Sequence, residues 1–393
     1  MNMNAAPNAL PAEATMTRGL AGVTAGRTAI SSLAGELRYR GYSIESLAQA
    51  SDFEDVAYLL LHGELATKKE HDAFVGRIRD SATSLDKTLV QSLTLLAQRQ
   101  SSASPMDALR SGISILGQIQ LDQTPGIHAL LIAQAERLLG ETPSMLAAWM
   151  DASSNRPIAP WPNAPLAESL LARLTGRQPS QSHIQAFGTT LVLYAEHEFN
   201  ASTFAARTVV STGSDMHSGV TAAIGALKGP LHGGANEQVL EQLSEIGSVD
   251  RAEAWVSEQL SAKRVIMGFG HRVYKDGDPR AVLLGRMCRS LVQGTDGERL
   301  EDLADTIEQL MLQRKGLRPN LDWPAARIYH ALGLPIRVFT PIFVVARMSG
   351  WTAHIIEQIG DNRLIRPMSL YCGESPRDFV SLETRSASGA SCF

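Results

Sequence analysis

Apolar residues in this chain return every third or fourth position in run after run, and almost nowhere every second position, which restricts it to a mostly helical fold. Leu300, Leu303, Ile307, Leu310 and Met311 keep the spacing, and Gly316 is placed to close the run. Asp52 stands before Val56, Leu59 and Leu60, with Gly63 after them. Ile184, Phe187, Leu191 and Tyr194 repeat the pattern, as do Val344, Val345, Met348, Trp351, Ile355 and Ile356. The one strand signal lies early, where residues 30–33 and 37–42 flank Ala34-Gly35-Glu36 as a hairpin. The fold class that follows is mainly α with a small N-terminal β element. No repeat of 20–50 residues and no heptad seam points to a solenoid or a coiled coil.

Composition removes several function classes. At roughly 150 residues per domain, 393 residues make two or three domains, or one large domain with a lobe. Apolar residues at 44% and charged residues at 19% exclude a wholly disordered chain. Lys plus Arg is 36 against 40 Asp plus Glu, a net charge of −4 that lacks the basic field of a nucleic-acid binder. Cys288, Cys372 and Cys392 are odd in number and show no CxxC spacing, against a disulfide framework or a cysteine zinc site and for a reducing compartment. Residues 1–16 carry no basic residue and no apolar h-region, so no secretory leader is expected. The longest apolar stretches, such as 338–346, fall short of the ~18 residues a membrane span needs. The expectation is a soluble cytoplasmic protein with no nucleic-acid or membrane partner. The two ends, 1–17 and 386–393, read as loose, and prolines 157, 160, 162 and 165 mark an ordered loop between helices.

Three segments carry unusual chemistry. Gly229-Pro230-Leu231-His232-Gly233-Gly234-Ala235-Asn236 precedes a helical pattern from Glu237 to Leu243. A histidine near a helix N-terminus is biased toward the neutral form, and paired glycines allow a tight bend or a close ligand; a plain turn histidine fits the spacing equally. Residues 267–280 place Gly268, Gly270, His271, Arg272, Lys275 and Arg280 in one loop, which reads either as an anion site or as a solvated basic loop. It is neither a dinucleotide fingerprint nor a P-loop. The third segment holds Asp322 between apolar neighbours, after Arg314, Lys315 and Arg318. A helix cap is the plainer reading of Asp322; a base whose pKa is raised by desolvation is the other. His197 in Ala195-Glu196-His197-Glu198-Phe199-Asn200 has no HExxH pattern, and no other histidine has ligand spacing with it. Arg347 and Arg366 sit in or just after apolar helical text, where a carboxylate of the protein or of a ligand is expected to meet each. There is no GxSxG elbow, and Cys288 shows no local sign of thiolate activation.

GPLHGGAN, MGFGHRVYKDGDPRA, PNLDW, FTPIFVVARMSGWTAHIIEQ and RLIRPMSLYCG together resemble the citrate synthase family, nearest its short bacterial type, which includes the 2-methylcitrate synthases. The likeness runs over residues 19–373, with the motifs in family order. It implies that His232 hydrogen-bonds the acetyl-CoA thioester oxygen, that Asp322 removes the methyl proton, and that His271 polarises the oxaloacetate ketone. Arg280, Arg347 and Arg366 match the carboxylate-holding arginines, the last reaching in from the other subunit, so a homodimer is implied. His197 and Asn200 match the remaining oxaloacetate contacts. Val265, Met267, Gly268, Gly270, Lys315 and Asn320 match segments that receive coenzyme A. No cofactor or metal is implied, the thioester being a substrate.

The resemblance further implies a large helical domain from residues 19–230 and 328–380, a small one of 231–327 that closes once oxaloacetate binds, and flexible ends at 1–18 and 381–393. It leaves open acetyl-CoA or propionyl-CoA as substrate, and also a catalytically silent homologue that binds CoA or a dicarboxylate; a plain helical scaffold would need no such residue set. One departure stands out: Trp323-Pro324-Ala325 replaces the usual Phe-Tyr-Ser or Phe-Phe-Ser, so an altered start to the next helix and a lost polar contact near the acyl site are expected.

Overall fold

The structure, a computed structural model, describes residues 18–20, 22–120, 128–271, 273, 274 and 276–385. The expected loose ends therefore lie outside the described residues, apart from Arg18 and 381–385, as do Arg272, Lys275 and Cys392. The first part holds a three-stranded antiparallel sheet of β1 (Ser31–Ser32), β2 (Arg38–Tyr39) and β3 (Tyr42–Ser43), with Ser31 opposite Tyr39 and Arg38 opposite Ser43. The expected hairpin is β1–β2, but the expected strand 37–42 is broken at Arg40 and Gly41, whose φ values of 48° and 90° turn the chain back as β3.

Sixteen α-helices follow among the described residues. The first eight are α1 (Ile44–Ala50), α2 (Phe53–His62), α3 (Lys68–Thr83), α4 (Lys87–Arg99), α5 (Pro105–Ile119), α6 (His128–Ser153), α7 (Leu166–Thr175) and α8 (Gln181–Tyr194). They continue as α9 (Ala201–Val210), α10 (Met216–Leu227), α11 (Ala235–Ile246), α12 (Val249–Ser261) and α13 (Pro279–Val292). The last three are α14 (Glu298–Lys315), α15 (Asp322–Ala331) and α16 (Phe339–Gly360).

Local chemistry sets the boundaries. Asp52 accepts the Asp55 N–H at 2.7 Å and Gly63 ends α2 at φ 90°, while Gly316 ends α14 at φ 66°, conformations that need no Cβ. The proline-rich loop between α6 and α7 is tied down where Arg173 pairs with Asp151 at 2.6 Å and donates to Pro160 O at 3.1 Å.

Helix α16 is buried almost all round and packs against α2, α6, α8, α9 and α10, as a helix apolar on every face must. No helix of the described residues is long and apolar enough to cross a membrane. Helices α11 to α15 pack mainly on one another: α11 on α15, α12 on α14 and α13 on α15. They meet the remainder where α13 and α15 touch α8 and where α11 touches α16. That seam is where the chemistry-bearing residues gather.

Candidate active site

The site is built around the C-terminal end of α8. The last carbonyls of a helix have no partner within it and carry its negative pole, so they attract donors. Here the Tyr39 hydroxyl lies 3.3 Å from Val192 O, Arg280 Nη1 donates to Leu193 O at 3.4 Å, and Arg347 Nε donates to Tyr194 O at 2.7 Å. One frayed helix end thus fixes two guanidiniums that are far apart in sequence.

Arg347 is 2% exposed, and its Nη1 is buried with no hydrogen-bond partner among the described residues. Its guanidinium lies 4.7 Å from the Phe343 ring, and burial lowers its pKa against the pull of Glu196. Of the two partners expected for it, a protein carboxylate makes no direct hydrogen bond to Arg347 among the described residues; a helix-end carbonyl does, and Nη1 stays unpartnered. Glu196 supplies charge from farther off: it accepts from Ser31 Oγ at 2.9 Å and pairs with His354 Nε2 at 2.9 Å. Arg280, 5% exposed, does meet a protein carboxylate, with Nε at 3.0 Å and Nη2 at 2.8 Å from Asp278. This fork occupies one edge of Arg280 and leaves its Nη1 side toward α8.

His271 Nδ1 accepts the Val273 and Tyr274 N–H groups at 3.1 and 3.3 Å, which puts the ring proton on Nε2. Its ring lies against Tyr274 with centroids 4.6 Å apart, and 5.2 Å from that of His197. His197 Nε2 is 3.1 Å from the Tyr274 hydroxyl, and burial followed by Arg280 and Arg347 holds its imidazole well below the ordinary pKa. Burial and then Arg280 lower His271 as well. Asn200 caps α9: its Oδ1 accepts the Thr203 N–H at 3.1 Å, while its amide N–H groups reach His197 O and Glu198 O at 3.4 Å. The Asn200 side chain is thus committed to the turn that carries His197. Glu198 in that turn has φ 54°, a strained value for a residue with a Cβ, held where its N–H donates to Ser31 Oγ at 3.1 Å.

His232 lies in the turn before α11, but the helix that sets its proton is α9. The Ser202 N–H, in the first turn of α9, donates to His232 Nε2 at 3.3 Å, leaving the proton on Nδ1. The Ser202 hydroxyl is 2.9 Å from the same nitrogen and accepts from Trp351 Nε1 at 3.1 Å. Burial, then Arg347, pushes the His232 pKa down to about 4, so the imidazole is neutral at neutral pH. Gly233 serves packing, since a Cβ there would run into Leu227 O.

Asp322 is the first residue of α15 and does not cap it. Its N–H donates to Asn320 Oδ1 at 3.1 Å, and its Oδ1 accepts the Tyr194 hydroxyl at 2.6 Å. Burial raises its pKa to about 6, with the Tyr194 hydrogen bond, Arg280 and Arg347 opposing the rise. The Tyr194 ring in turn lies 4.4 Å from the Phe343 ring, and the His232 ring is 6.1 Å from it, centroid to centroid. The contacts therefore run unbroken from His232 through Phe343 and Tyr194 to Asp322.

The remaining predicted contacts divide. Residues 265–270 are zipped to 318–320 by a bridge between Phe269 and Pro319, with Gly270 N–H to Arg318 O and Asn320 N–H to Gly268 O both at 2.9 Å. Asn320 Nδ2 adds a bond to Gly270 O at 3.0 Å, and Met267 N–H donates to Gln242 Oε1 at 3.1 Å. Gly268, at φ 86°, leaves no room for a Cβ, which would lie 2.7 Å from the Trp323 ring. Val265 is 73% exposed and Lys315 is exposed at the end of α14. Arg366 is exposed in the stretch after α16 and is not brought to the site by its own chain.

Pro324 sits within the first turn of α15. It is the third residue of α15, where an N–H would have no intrahelical partner anyway. Trp323 Nε1 bonds Glu308 at 2.7 Å, and its ring meets Phe269 at 4.6 Å, so the departure braces the 265–270 loop.

Tyr194, Ser202, Tyr274 and Asp278 escaped the sequence reading. The signals available were a hydroxyl on an otherwise apolar helix face for Tyr194 and an Asp-Pro helix start for Asp278.

The family model described as citrate synthase, C-terminal domain, matches residues 19–368. Citrate synthase 2 of Bacillus subtilis is 42% identical over 94% of this chain and 100% of its own. A 2-methylcitrate synthase of Mycobacterium tuberculosis is 43% identical over 92% of this chain and 91% of its own. Among solved structures, citrate synthase from Thermoplasma acidophilum, in a ternary complex with carboxymethyl coenzyme A and oxaloacetate, superposes with a TM-score of 0.88 at 30% identity, covering 94% of this chain and 99% of that one. Fold, motifs and relatives agree, and the chain belongs to the citrate synthase family.

Proposed function

We propose that this chain condenses acetyl-CoA with oxaloacetate and hydrolyses the citryl thioester to citrate and CoA. The observation that carries the proposal is the meeting, at the end of α8, of a carboxylate with a raised pKa and a buried arginine nitrogen without a partner. A thioester C–H is a very weak acid, so a carboxylate alone deprotonates it too slowly. A donor at the developing enolate oxygen contributes ~3–4 kcal/mol, and His232 Nδ1–H supplies it without charge to lose. Asp322 is the base, worth roughly 10²–10⁴-fold. His271 Nε2–H polarises the ketone and follows the oxygen as the carbon–carbon bond forms. Arg280, Arg347 and His197 hold oxaloacetate, and Asn200 holds His197. The 265–270 loop with Lys315 and Asn320 receives CoA. The chemistry calls for no metal or redox cofactor.

The second reading is condensation of propionyl-CoA to 2-methylcitrate, favoured by relatives of that name at equal identity. The two substrates differ by one methylene, worth only ~1–3 kcal/mol in an apolar pocket. Thiol release from both thioesters with oxaloacetate, beside an Asp322→Ala control, decides between them by the larger kcat/KM. No release from either returns the chain to a silent binding role.

We further place the large domain at residues 19–230 and 328–380 and the small domain at 231–327, closing over oxaloacetate to exclude water. Contacts from Asp322 and Arg280 to α8 and from Tyr274 to His197 span that boundary and support closure. We also assign a homodimer in the cytoplasm, with Arg366 completing the partner's site. Leu364, Met368, Tyr371 and Phe379 on the same stretch are 61% to 87% exposed, apolar surface suited to a second copy. Mixing Arg366→Met with Asp322→Asn chains tests this: mixed dimers regain one working site if Arg366 crosses, and none if it serves its own chain.

A further inference from the structure

Asp322 has more to satisfy than a base alone requires: it must stay ionised in a buried place and present one oxygen to the acyl carbon. We propose that Tyr194 is the positioning residue of this base, its hydroxyl pinning Oδ1 of Asp322 so that Oδ2 is the oxygen presented to the substrate. The proposal rests on the reading of Asp322 as the base.

Both ends of the bond are fixed by the fold. Tyr194 is the last residue of α8 and 1% exposed; its carbonyl is held by Arg347 Nε at 2.7 Å, and its ring is flanked by Phe343 at 4.4 Å. Asp322 opens α15, with its N–H held by Asn320 Oδ1 at 3.1 Å. The O–H···O separation of 2.6 Å is that of a hydrogen bond to a charged carboxylate. The charged and titratable groups acting on Asp322 are Tyr194 from α8, Arg280 and Asp278 from the start of α13 and its cap, Arg347 from α16, and Tyr329 from α15. Arg280 and Arg347 stabilise the carboxylate through space, Asp278 opposes it, and Tyr194 makes the direct side-chain hydrogen bond. The phenol, whose own pKa is raised well above the ordinary value by burial, keeps its proton throughout. The proton taken from the acyl carbon goes to Oδ2, and the Tyr194 proton never leaves. The arrangement also links the base to oxaloacetate, because one residue holds Asp322 by its hydroxyl and Arg347 by its carbonyl.

Tyr194→Phe removes one oxygen and keeps the ring and its packing. Three readings are taken with acetyl-CoA and propionyl-CoA: the pH profile of kcat, the KM for oxaloacetate, and exchange of the thioester α-protons in D2O with a non-condensing dicarboxylate. The expected result is a fall in kcat and in exchange of ~10-fold, with the acid limb moved up by about one pH unit. The KM for oxaloacetate stays within about twofold, because Arg347 is held by the unchanged carbonyl. An unmoved acid limb in Tyr194→Phe, with Asp322→Asn inactive, overturns the role given to Tyr194. Turnover that survives in Asp322→Asn overturns instead the assignment of the base.

Discussion

Arg347 and Arg366 stand on either side of Gly360, where α16 ends, and their surroundings are opposites. Arg347 is 2% exposed on a helix buried all round, with one nitrogen on the Tyr194 carbonyl and another unpartnered. Arg366 is exposed on a stretch, residues 361–385, whose only regular element is the short 3-10 helix Leu382–Thr384 and whose apolar side chains face outward. The first environment is built wholly by its own chain. The second is tied to the helices at its root, where Ile365 N–H donates to Ser211 Oγ at 3.0 Å and Asn362 Nδ2 to Ser211 O at 3.2 Å, while contacts farther along, such as Arg377 with Glu374 at 3.0 Å and Arg385 Nε with Val380 O at 3.0 Å, stay within the stretch. Two arginines of one proposed task thus stand in opposite settings, one buried in its own chain and one exposed on a stretch with outward apolar side chains.

The largest effect is expected inside. Asp322→Asn should lower kcat by roughly 10²–10⁴-fold while raising the melting temperature at neutral pH. The sign follows from linkage: a carboxyl raised to about 6 in the fold, above its unfolded value, costs stability fully above pH 6 and regains it as pH falls toward 4. Thermal unfolding at pH 5 and pH 8 should therefore show the gain from Asn mainly at pH 8. Next, Arg347→Met should weaken oxaloacetate binding ~10²-fold or more, since a ligand carboxylate would lose its buried partner. Isothermal titration with oxaloacetate alone measures it. If Arg366→Met weakened binding equally in a strictly monomeric preparation, the contrast between the two arginines would be wrong.

Removing residues 367–393 should abolish association and turnover yet leave the far-UV helical signal near that of the full chain. Sedimentation and circular dichroism read the two separately. The smallest effect concerns pH. Turnover should fall with one-proton slope below about pH 6 as Asp322 protonates, and steepen near pH 4 as His232 does. A first break near 4 would mean that Asp322 is not the group being titrated.

Much of the fold was open to reading before any coordinates. Capped, glycine-ended runs such as α2 and α14 announce themselves because the signals are local: one aspartate, a period of 3.6 and one glycine. The third strand did not, because the expected strand 37–42 ran through the turn that Arg40 and Gly41 make at φ 48° and 90°. At the site, His232, His271 and Asp322 stood out through their neighbours in sequence. Asp322 read alone as a cap, since nothing nearby announces that Tyr194, far back in the chain, will hold its carboxylate. The place of Pro324 at the third position of α15, where no intrahelical N–H bond is lost, also needed the helix boundary that only the structure gives.

The sequence by itself determined the helical class, the helix boundaries and the residue types that the chemistry needs, all of which are short-range properties of a chain. Tertiary structure alone decided which carbonyls hold Arg280 and Arg347, which nitrogen of His232 keeps its proton, and how far Asp322 is desolvated. Those are properties of groups brought together from distant segments. Burial and partner geometry set them, and neither exists until the end of α8 meets α9, α13, α15 and α16.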